Sequence, residues 1–193
     1  MMKTKNIMIV GVGGQGSLLA SKLLGRLLVT GGFDVKVSEV HGMSQRGGSV
    51  VTYVRFGDKV YSPVIDRGEA DVIVSFELLE AARWTSYLAP AGKIICNTQK
   101  INPMPVICGT AEYPADLEKE MRKAGIDVDA FDALALAKKA GSVKAVNLVL
   151  MGRLSRLFDF SKEAWEKAIE ESVPEKFIAL NKKAFAFGRG EEK

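Results

Sequence analysis

Metal-binding side chains are scarce in this sequence. Among its 193 residues there are two cysteines, Cys96 and Cys108, and a single histidine, His41. A cubane iron–sulfur cluster needs four cysteine ligands, and an ordinary zinc site needs a larger set of histidines and cysteines. We therefore expect no metal site in this chain. Two cysteines are also too few for a disulfide framework, which predicts a cytoplasmic protein with reduced thiols.

Long apolar runs and dense clusters of one charge are missing as well. The longest apolar stretches, such as residues 148–151, are far shorter than the roughly 18 residues that a membrane span needs. The net charge is +4, from 27 basic and 23 acidic side chains, and no run of five basic residues occurs. Neither a membrane nor a nucleic acid is therefore an expected partner.

Internal repeats and linkers are also absent, so we expect one domain over residues 1–193. Hydrophobic residues make up 47% of the chain and charged residues 26%, which is typical of a globular protein. The 19 glycines concentrate at residues 11–16 and 42–48. Such clustering indicates specific backbone turns rather than a flexible linker.

The hydrophobic pattern predicts an open, mostly parallel α/β sheet. A buried strand at residues 6–10 meets a glycine turn, a leucine-rich helix covers 15–30, and a second strand covers 34–40, which together form a Rossmann-like βαβ start. Strands at 49–56 and 59–65 predict a β-hairpin excursion with its turn at Gly57-Asp58.

The rest of the chain is expected to return to alternating strands and helices and to end in a helical C-terminal third. The predicted elements are strands at 70–75, 93–97 and 126–131, a loop at 102–105, helices at 77–88, 115–124 and 143–158, and helices that begin at Asp132, Ser161 and Pro174.

The first glycine cluster, Gly11-Val12-Gly13-Gly14-Gln15-Gly16, fits the pattern G-x-G-x-x-G between a predicted strand and a predicted helix. Glycines there let the N–H groups of a helix N-terminus approach an anionic group. Glu39 follows Gly16 by 23 residues, near the position of a ribose-binding acid in dinucleotide folds. Alternatively, the glycines only permit close packing of helix on strand, and both interpretations remain open. The residues of this phosphate-type loop are Gly11, Gly13, Gly14, Gln15 and Gly16.

The second glycine cluster lies in residues 39–50, which carry a histidine, an arginine and several short polar side chains. This composition does not suit a core element, and loops at the carboxyl ends of strands bind ligands in open α/β sheets. We expect this loop to lie beside the first glycine turn. Arg46 could hold a carboxylate or phosphate, and His41 could titrate near neutrality. Alternatively, both side chains only cap carbonyls of a tight loop. The candidate residues are His41, Met43, Ser44, Gln45 and Arg46.

These two motifs resemble the gamma-type domain of the 2-oxoacid:acceptor oxidoreductases, and most closely its indolepyruvate branch. The resemblance rests on residues 9–16 and 39–50, followed by the strand Ala70-Asp71-Val72-Ile73 that leads to Glu77. It covers about the first eighty residues, and the length of the chain suits a separate subunit. In the C-terminal third only Asn147 and the apolar helix around it look similar.

The resemblance implies a role in the oxidative decarboxylation of a 2-oxoacid to an acyl-coenzyme A, CO2 and reduced ferredoxin. Family members use thiamine diphosphate, iron–sulfur clusters and coenzyme A. This chain lacks ligands for the iron–sulfur clusters and for thiamine diphosphate, and the resemblance implies that a larger alpha subunit holds them. It also implies that the substrates are arylpyruvates. The chain would be a non-redox subunit, inactive alone, with the His41 to Gly48 loop facing the partner or its active-site channel. No catalytic residue is assigned to it.

Two other functions remain open on the sequence alone. One is a free nucleotide-dependent oxidoreductase that uses the Gly11–Gly16 loop together with Glu39. The other is a non-enzymatic α/β module for binding or assembly. A free dehydrogenase would bind a nicotinamide nucleotide, whereas an incomplete subunit would show activity only with its partner.

Overall fold

A mixed sheet forms the centre of the fold. The structure, a computed structural model, describes residues 3–41 and 47–191. Within these ranges the strands are β1 (Lys5–Val12), β2 (Asp34–His41), β3 (Ser49–Gly57), β4 (Ala70–Ser75), β5 (Leu88–Asn97) and β6 (Asp127–Phe131). Their order in the sheet is β2-β3-β1-β4-β5-β6. Only β3 among them runs antiparallel to its neighbours, which confirms the open and mostly parallel α/β fold.

Helices cover both faces of this sheet. Along β1, Ile7 and Ile9 point to one face while Met8 and Val10 point to the other, and all four side chains are fully buried. Burial on both faces explains why this strand is apolar without alternation. The α-helices in the described ranges are α1 (Ser17–Thr30), α2 (Leu78–Arg83), α3 (Met104–Ile107), α4 (Leu117–Lys123), α5 (Ala133–Ala140), α6 (Val146–Leu154), α7 (Lys162–Glu170) and α8 (Ile178–Arg189).

The βαβ start is confirmed, with one strand inserted. β1, α1 and β2 follow one another as expected, and β2 runs parallel to β1, but β3 lies between the two strands. The hairpin excursion is therefore formed by β2 and β3, where Val37 pairs with Val54.

The predicted second arm of the hairpin, at residues 59–65, is wrong. β3 already has β2 and β1 on its two sides, so no free edge remains for this segment. It has no regular secondary structure, and Arg55 of β3 holds it by donating from Nη1 to the carbonyls of Ser62, at 3.2 Å, and Val64, at 2.6 Å. Buried Val60 and Ile65 account for its strand-like apolar pattern.

Two further boundaries differ from the expectation. The helix predicted at 77–88 ends at Arg83, and the strand predicted at 93–97 begins earlier, since β5 starts at Leu88. The segment at 102–105, predicted as a loop, contains the start of α3, with Pro103 as the N-cap residue and Pro105 in the first turn. Proline suits the first turn of a helix because the N–H that it lacks has no partner there.

The helical C-terminal third is confirmed, and two of its helices cross closely. Gly152 of α6 lies against the carbonyl of Phe185, and Gly188 of α8 lies against the carbonyl of Val149, so that a Cβ at either glycine would overlap backbone. The helix starts predicted at Asp132 and Ser161 are also confirmed, since both side chains cap a helix by accepting hydrogen bonds from backbone amides of α5 and α7. None of the helices in residues 3–41 and 47–191 is both long and apolar enough for a transmembrane span.

Candidate functional site

The two glycine segments meet at the carboxyl end of β1. The amide of Gly13 donates to the carbonyl of Gly48 at 2.8 Å, and the amide of Gly47 donates to the carbonyl of Gly13 at 3.4 Å. The expectation that the second loop lies beside the first glycine turn is therefore confirmed for its described end.

The N-terminus of α1 faces this junction. Gly16 is its N-cap residue, with a φ of 90°; no side chain among residues 3–41 and 47–191 caps this end, and the first turn contains no acidic residue. Free N–H groups and the helix dipole leave partial positive charge at such an end. The local geometry can therefore accept an anionic group or a hydrogen-bond acceptor from a partner.

A cavity of about 490 Å³ lies in front of this helix end. Glu39 and His41 of β2 line its far wall, and Leu18, whose side chain is 63% exposed, lies at its rim. Residues 42–46 follow His41 and lie outside the described residues, so the structure gives no position for the candidates Met43, Ser44, Gln45 and Arg46. The cavity is lined by Gly13, Gly14, Gly16, Ser17, Leu18, Glu39, His41 and Val50.

Gln15 of the phosphate-type loop points into the protein. Its Oε1 accepts from the amide of Val12 at 2.7 Å, and its Nε2 donates to the carbonyl of Phe76 at 3.0 Å. A Cβ on Gly11 would lie 2.9 Å from both the Gln15 Oε1 and the Phe76 Cβ. Gly11 and Gln15 therefore shape the loop and tie it to the end of β4, whereas Gly13, Gly14 and Gly16 border the cavity.

Asn147 links the glycine loop to the C-terminal helices. Its buried amide donates to the carbonyl of Gly16 at 3.4 Å, and its Oδ1 accepts from the amide of Leu148 at 2.9 Å. A Cβ on Gly16 would lie 3.0 Å from the Asn147 Nδ2. This contact explains why a glycine is needed at Gly16 beyond its positive φ.

Sequence reasoning missed a buried amide at the end of β5. Asn97 is fully buried; its Nδ2 donates to the carbonyl of Phe76 at 3.1 Å, and its Oδ1 accepts from the amide of Ala133 at 3.1 Å. Gln15 and Asn97 thus share one carbonyl acceptor between β1 and β5. An asparagine that ends an apolar strand is the signal that could have found it, because a buried polar group needs partners.

Two buried glutamates of the α2 region were given no role by the sequence, and Glu77 was named there only as part of the resemblance. Glu77 caps α2 by accepting from the amide of Glu80 at 2.8 Å, and it also accepts from the Tyr113 hydroxyl at 2.6 Å. Burial, together with the hydrogen bond to Glu77, raises the pKa of Tyr113. Glu80 accepts a short hydrogen bond from the hydroxyl of Ser49, the first residue of β3. The second glycine segment is therefore anchored on the α2 side as well.

The described residues include no group of three or more histidine, cysteine, aspartate or glutamate side chains that could hold a metal ion. Cys96 is buried and Cys108 is exposed. Burial raises the pKa of the Cys96 thiol, and the nearby Glu77 charge adds to this effect.

The sequence and the fold of this chain match those of known proteins. The family model described as pyruvate ferredoxin/flavodoxin oxidoreductase matches residues 6–191. The chain is similar to the indolepyruvate oxidoreductase subunit IorB of Pyrococcus horikoshii, with 47% identity over 97% of this chain and 95% of that protein. The IorB subunit of Thermococcus kodakarensis is 46% identical over the same shares. The solved pyruvate oxidoreductase subunit PORC of Thermotoga maritima superposes with a TM-score of 0.75 at 25% identity, covering 97% of this chain and 96% of that one.

Proposed function

Since this chain belongs to the pyruvate ferredoxin/flavodoxin oxidoreductase family, as a gamma-type domain, we propose that it is the small subunit of an indolepyruvate-type 2-oxoacid:ferredoxin oxidoreductase. It is the non-redox subunit, and the substrates of the complex are arylpyruvates. The strongest support is the similarity to IorB subunits over nearly the whole length of both chains.

The proposed reaction is an oxidative decarboxylation. The bond between the carboxylate and the oxo carbon of the 2-oxoacid breaks and releases CO2, and the acyl carbon forms a bond to the sulfur of coenzyme A. Two electrons leave to two ferredoxin molecules, and the thiol proton is released. The reaction therefore needs iron–sulfur clusters to carry the electrons, and thiamine diphosphate to hold the acyl carbon before it reaches coenzyme A.

The donor set of this chain does not fit those groups. Two cysteines cannot complete a four-cysteine cluster, and the described residues contain no group of three or more histidine, cysteine, aspartate or glutamate side chains that could hold a metal ion. We propose that a larger alpha subunit holds the iron–sulfur clusters and thiamine diphosphate, and that this chain is inactive alone. A cytoplasmic location is part of the same proposal.

The site at the two glycine segments is the proposed contribution of this chain. One observation favours it: the Gly13 hydrogen bonds hold Gly47 and Gly48, the described end of the second loop, beside the turn that leads into the N-terminus of α1. The N–H groups there can bind an anionic group of coenzyme A or of the substrate, and the loop that begins at His41 can face the active-site channel of the partner. Arg46 belongs to that loop in sequence, and its guanidinium would add charge-assisted hydrogen bonds.

A free nicotinamide-dependent enzyme is the second candidate, and one observation favours it. Glu39 lines the same cavity as the glycine loop, as a ribose-binding acid would. Against it, a dinucleotide-binding fold has its second strand next to the first, whereas β3 separates β2 from β1 here.

Co-expression with the larger subunit tests the proposal. We expect the two chains to elute together, with all iron and sulfide in the larger one, and the isolated small chain to be colourless and without arylpyruvate oxidation. Stoichiometric iron and sulfide on the isolated chain would contradict this division. Micromolar binding of a nicotinamide nucleotide would instead support the second candidate.

A further inference from the structure

A second cavity opens at the other end of the sheet, away from the glycine segments. Its volume is about 700 Å³, within the range of roughly 300–1,000 Å³ that is usual for small-molecule pockets. Lys5, Asp71 and Asp127 mark the amino-terminal ends of β1, β4 and β6 along it. The proposed function makes no use of this cavity.

Aromatic rings form one side of it. Phe33 contacts Phe56 and Phe160 edge-to-face, with centroid distances of 5.5 and 6.0 Å, and Phe56 contacts Phe158 at 5.8 Å. Phe56 is fully buried, while the other three rings are half-buried and keep some exposed surface. A further aromatic ring can join such a cluster in the same edge-to-face geometry.

Charges of both signs border these rings. Lys5 pairs with Asp71 at 3.3 Å, and Lys93 pairs with Asp127 at 2.9 Å, with all four side chains partly exposed. Asp159, between the two half-buried rings Phe158 and Phe160 in sequence, is exposed and makes no salt bridge with residues 3–41 or 47–191. The cavity thus offers ammonium groups and one unpaired carboxylate beside an apolar wall.

We propose that this cavity binds a free aromatic amino acid. The ring joins the phenylalanine cluster, the carboxylate bonds a lysine ammonium of the rim, and the amino group bonds the Asp159 carboxylate. A purely apolar ligand would leave the charged rim unused, and a simple aromatic acid would leave Asp159 without a partner. Both lysines already have carboxylate partners, so we expect a dissociation constant of roughly 0.1–1 mM for so small a ligand.

This inference does not depend on the proposed function, although the two are chemically related. An aromatic amino acid carries an amine where the corresponding arylpyruvate carries its oxo group. Under the proposed function, the cavity would therefore sense the amino acid that corresponds to the substrate.

Calorimetric titration of the full chain tests the proposal, with phenylalanine and tryptophan as ligands. We expect saturable binding of both amino acids. Binding should be at least about fivefold weaker for phenylalaninamide, which lacks the carboxylate, for 3-phenylpropionate, which lacks the amine, and for leucine, which lacks the aromatic ring. Asp159→Asn should weaken phenylalanine binding about tenfold through the lost charge-assisted bond, with no change for 3-phenylpropionate. Phe158→Ala should weaken the binding of both phenylalanine and 3-phenylpropionate.

The matched control is Glu112→Gln, which removes an exposed carboxylate next to Tyr113, whose hydroxyl bonds Glu77 after the carboxyl end of β4, and should leave binding unchanged. Because Asp159 is exposed, Asp159→Asn does not threaten the fold even if Phe158→Ala does. No binding at millimolar phenylalanine, or binding that Asp159→Asn leaves unchanged, would overturn the proposal. So would the loss of the Asp159-dependent binding in the assembled enzyme, because the cavity would then be a contact between subunits.

Discussion

The amide of Gly13 donates a hydrogen bond of 2.8 Å to the carbonyl of Gly48, and this bond joins two turns that lie 35 residues apart in the chain. The turn after β1 and the start of β3 therefore form one unit. Neither turn can move far from the other without breaking a backbone hydrogen bond.

The Gly16 position should tolerate a side chain less well than Gly14. Both glycines have a positive φ, so alanine is strained at each by about 1 kcal/mol, but only at Gly16 would the new Cβ also meet the Asn147 amide, at 3.0 Å. We expect Gly16→Ala to lower the free energy of unfolding by about 2 kcal/mol and Gly14→Ala by about 1 kcal/mol in urea titrations. In an Asn147→Ala background the two losses should become equal. Equal losses in the native background would contradict the role given to Asn147.

Nucleotide titrations of the same protein separate packing from phosphate binding. Gly13→Val and Gly16→Val should impair folding or assembly with the partner, because a branched side chain blocks the turn and the close helix approach. Titrations of the unaltered chain with nicotinamide and flavin nucleotides should show no binding. Binding of either nucleotide would assign the glycine loop to a free oxidoreductase.

Gly188 should be intolerant of any side chain. A Cβ there would overlap the carbonyl of Val149 on the crossing helix, so Gly188→Ala should cost at least about 3 kcal/mol of stability or prevent folding. The control is Gly25→Ala in α1, where the new methyl would lie 3.6 Å from the Val37 side chain. Alanine favours a helix over glycine, so this variant should gain about 0.5–1 kcal/mol. Thermal unfolding of both variants measures these stability changes. A Gly188→Ala protein of unchanged stability would contradict the close crossing of α6 and α8.

The two thiols should differ in reactivity. Burial raises the pKa of Cys96, so this thiol stays protonated and enclosed at pH 8, while Cys108 is exposed. Because the thiolate is the reactive form, Ellman's reagent at pH 8 should modify one thiol per native chain and two in guanidinium chloride. Cys108→Ser should leave none reactive in the native protein. Since the pKa is shifted upward, raising the pH to 9 should not expose the second thiol to reaction, and two reactive thiols at pH 8 would show that Cys96 is accessible.

Arg46 tests the loop that the structure does not describe. If this loop faces the partner or an anionic group, Arg46→Ala should cost about 2 kcal/mol in assembly or turnover, a loss of roughly thirtyfold, with the Tm of the isolated chain barely changed. The control is Arg156→Ala, an exposed arginine near the other end of the sheet, which should affect neither. Affinity for the larger subunit and arylpyruvate oxidation at varied coenzyme A measure the effect. Unchanged values for Arg46→Ala would return the loop to a purely local structural role.

The sequence was sufficient to predict the fold class and the meeting of the two glycine segments. Carboxyl ends of parallel strands share one edge of a sheet, so a loop after β2 and a turn after β1 had to lie close together. The sequence could not predict that β3 pairs with β1 and β2. Residues 59–65 are as apolar as a strand, so they were the expected hairpin partner of β3. Their apolar pattern comes from the burial of Val60 and Ile65, and Arg55 of β3 holds the segment by a hydrogen bond to the carbonyl of Val64. Both contacts depend on the tertiary fold.

Side-chain direction was the other part that the sequence left undetermined. Gln15 belongs to a loop whose pattern indicates ligand binding, yet it points inward, because the end of β4 presents the carbonyl of Phe76 to it. Asn97 reaches the same carbonyl from β5, and it carries no motif at all. Such networks are set by which strand ends become neighbours, which the strand order decides.

The most direct test of the central claim is a complementation titration. The larger subunit is assayed for coenzyme A-dependent ferredoxin reduction with an arylpyruvate while the isolated small chain is added in steps. We expect almost no activity from either subunit alone and a rate that rises to a plateau at a fixed ratio of the two chains. Full activity of the larger subunit without this chain, or oxidation of arylpyruvate by this chain alone, would contradict its assignment as the subunit that completes the enzyme.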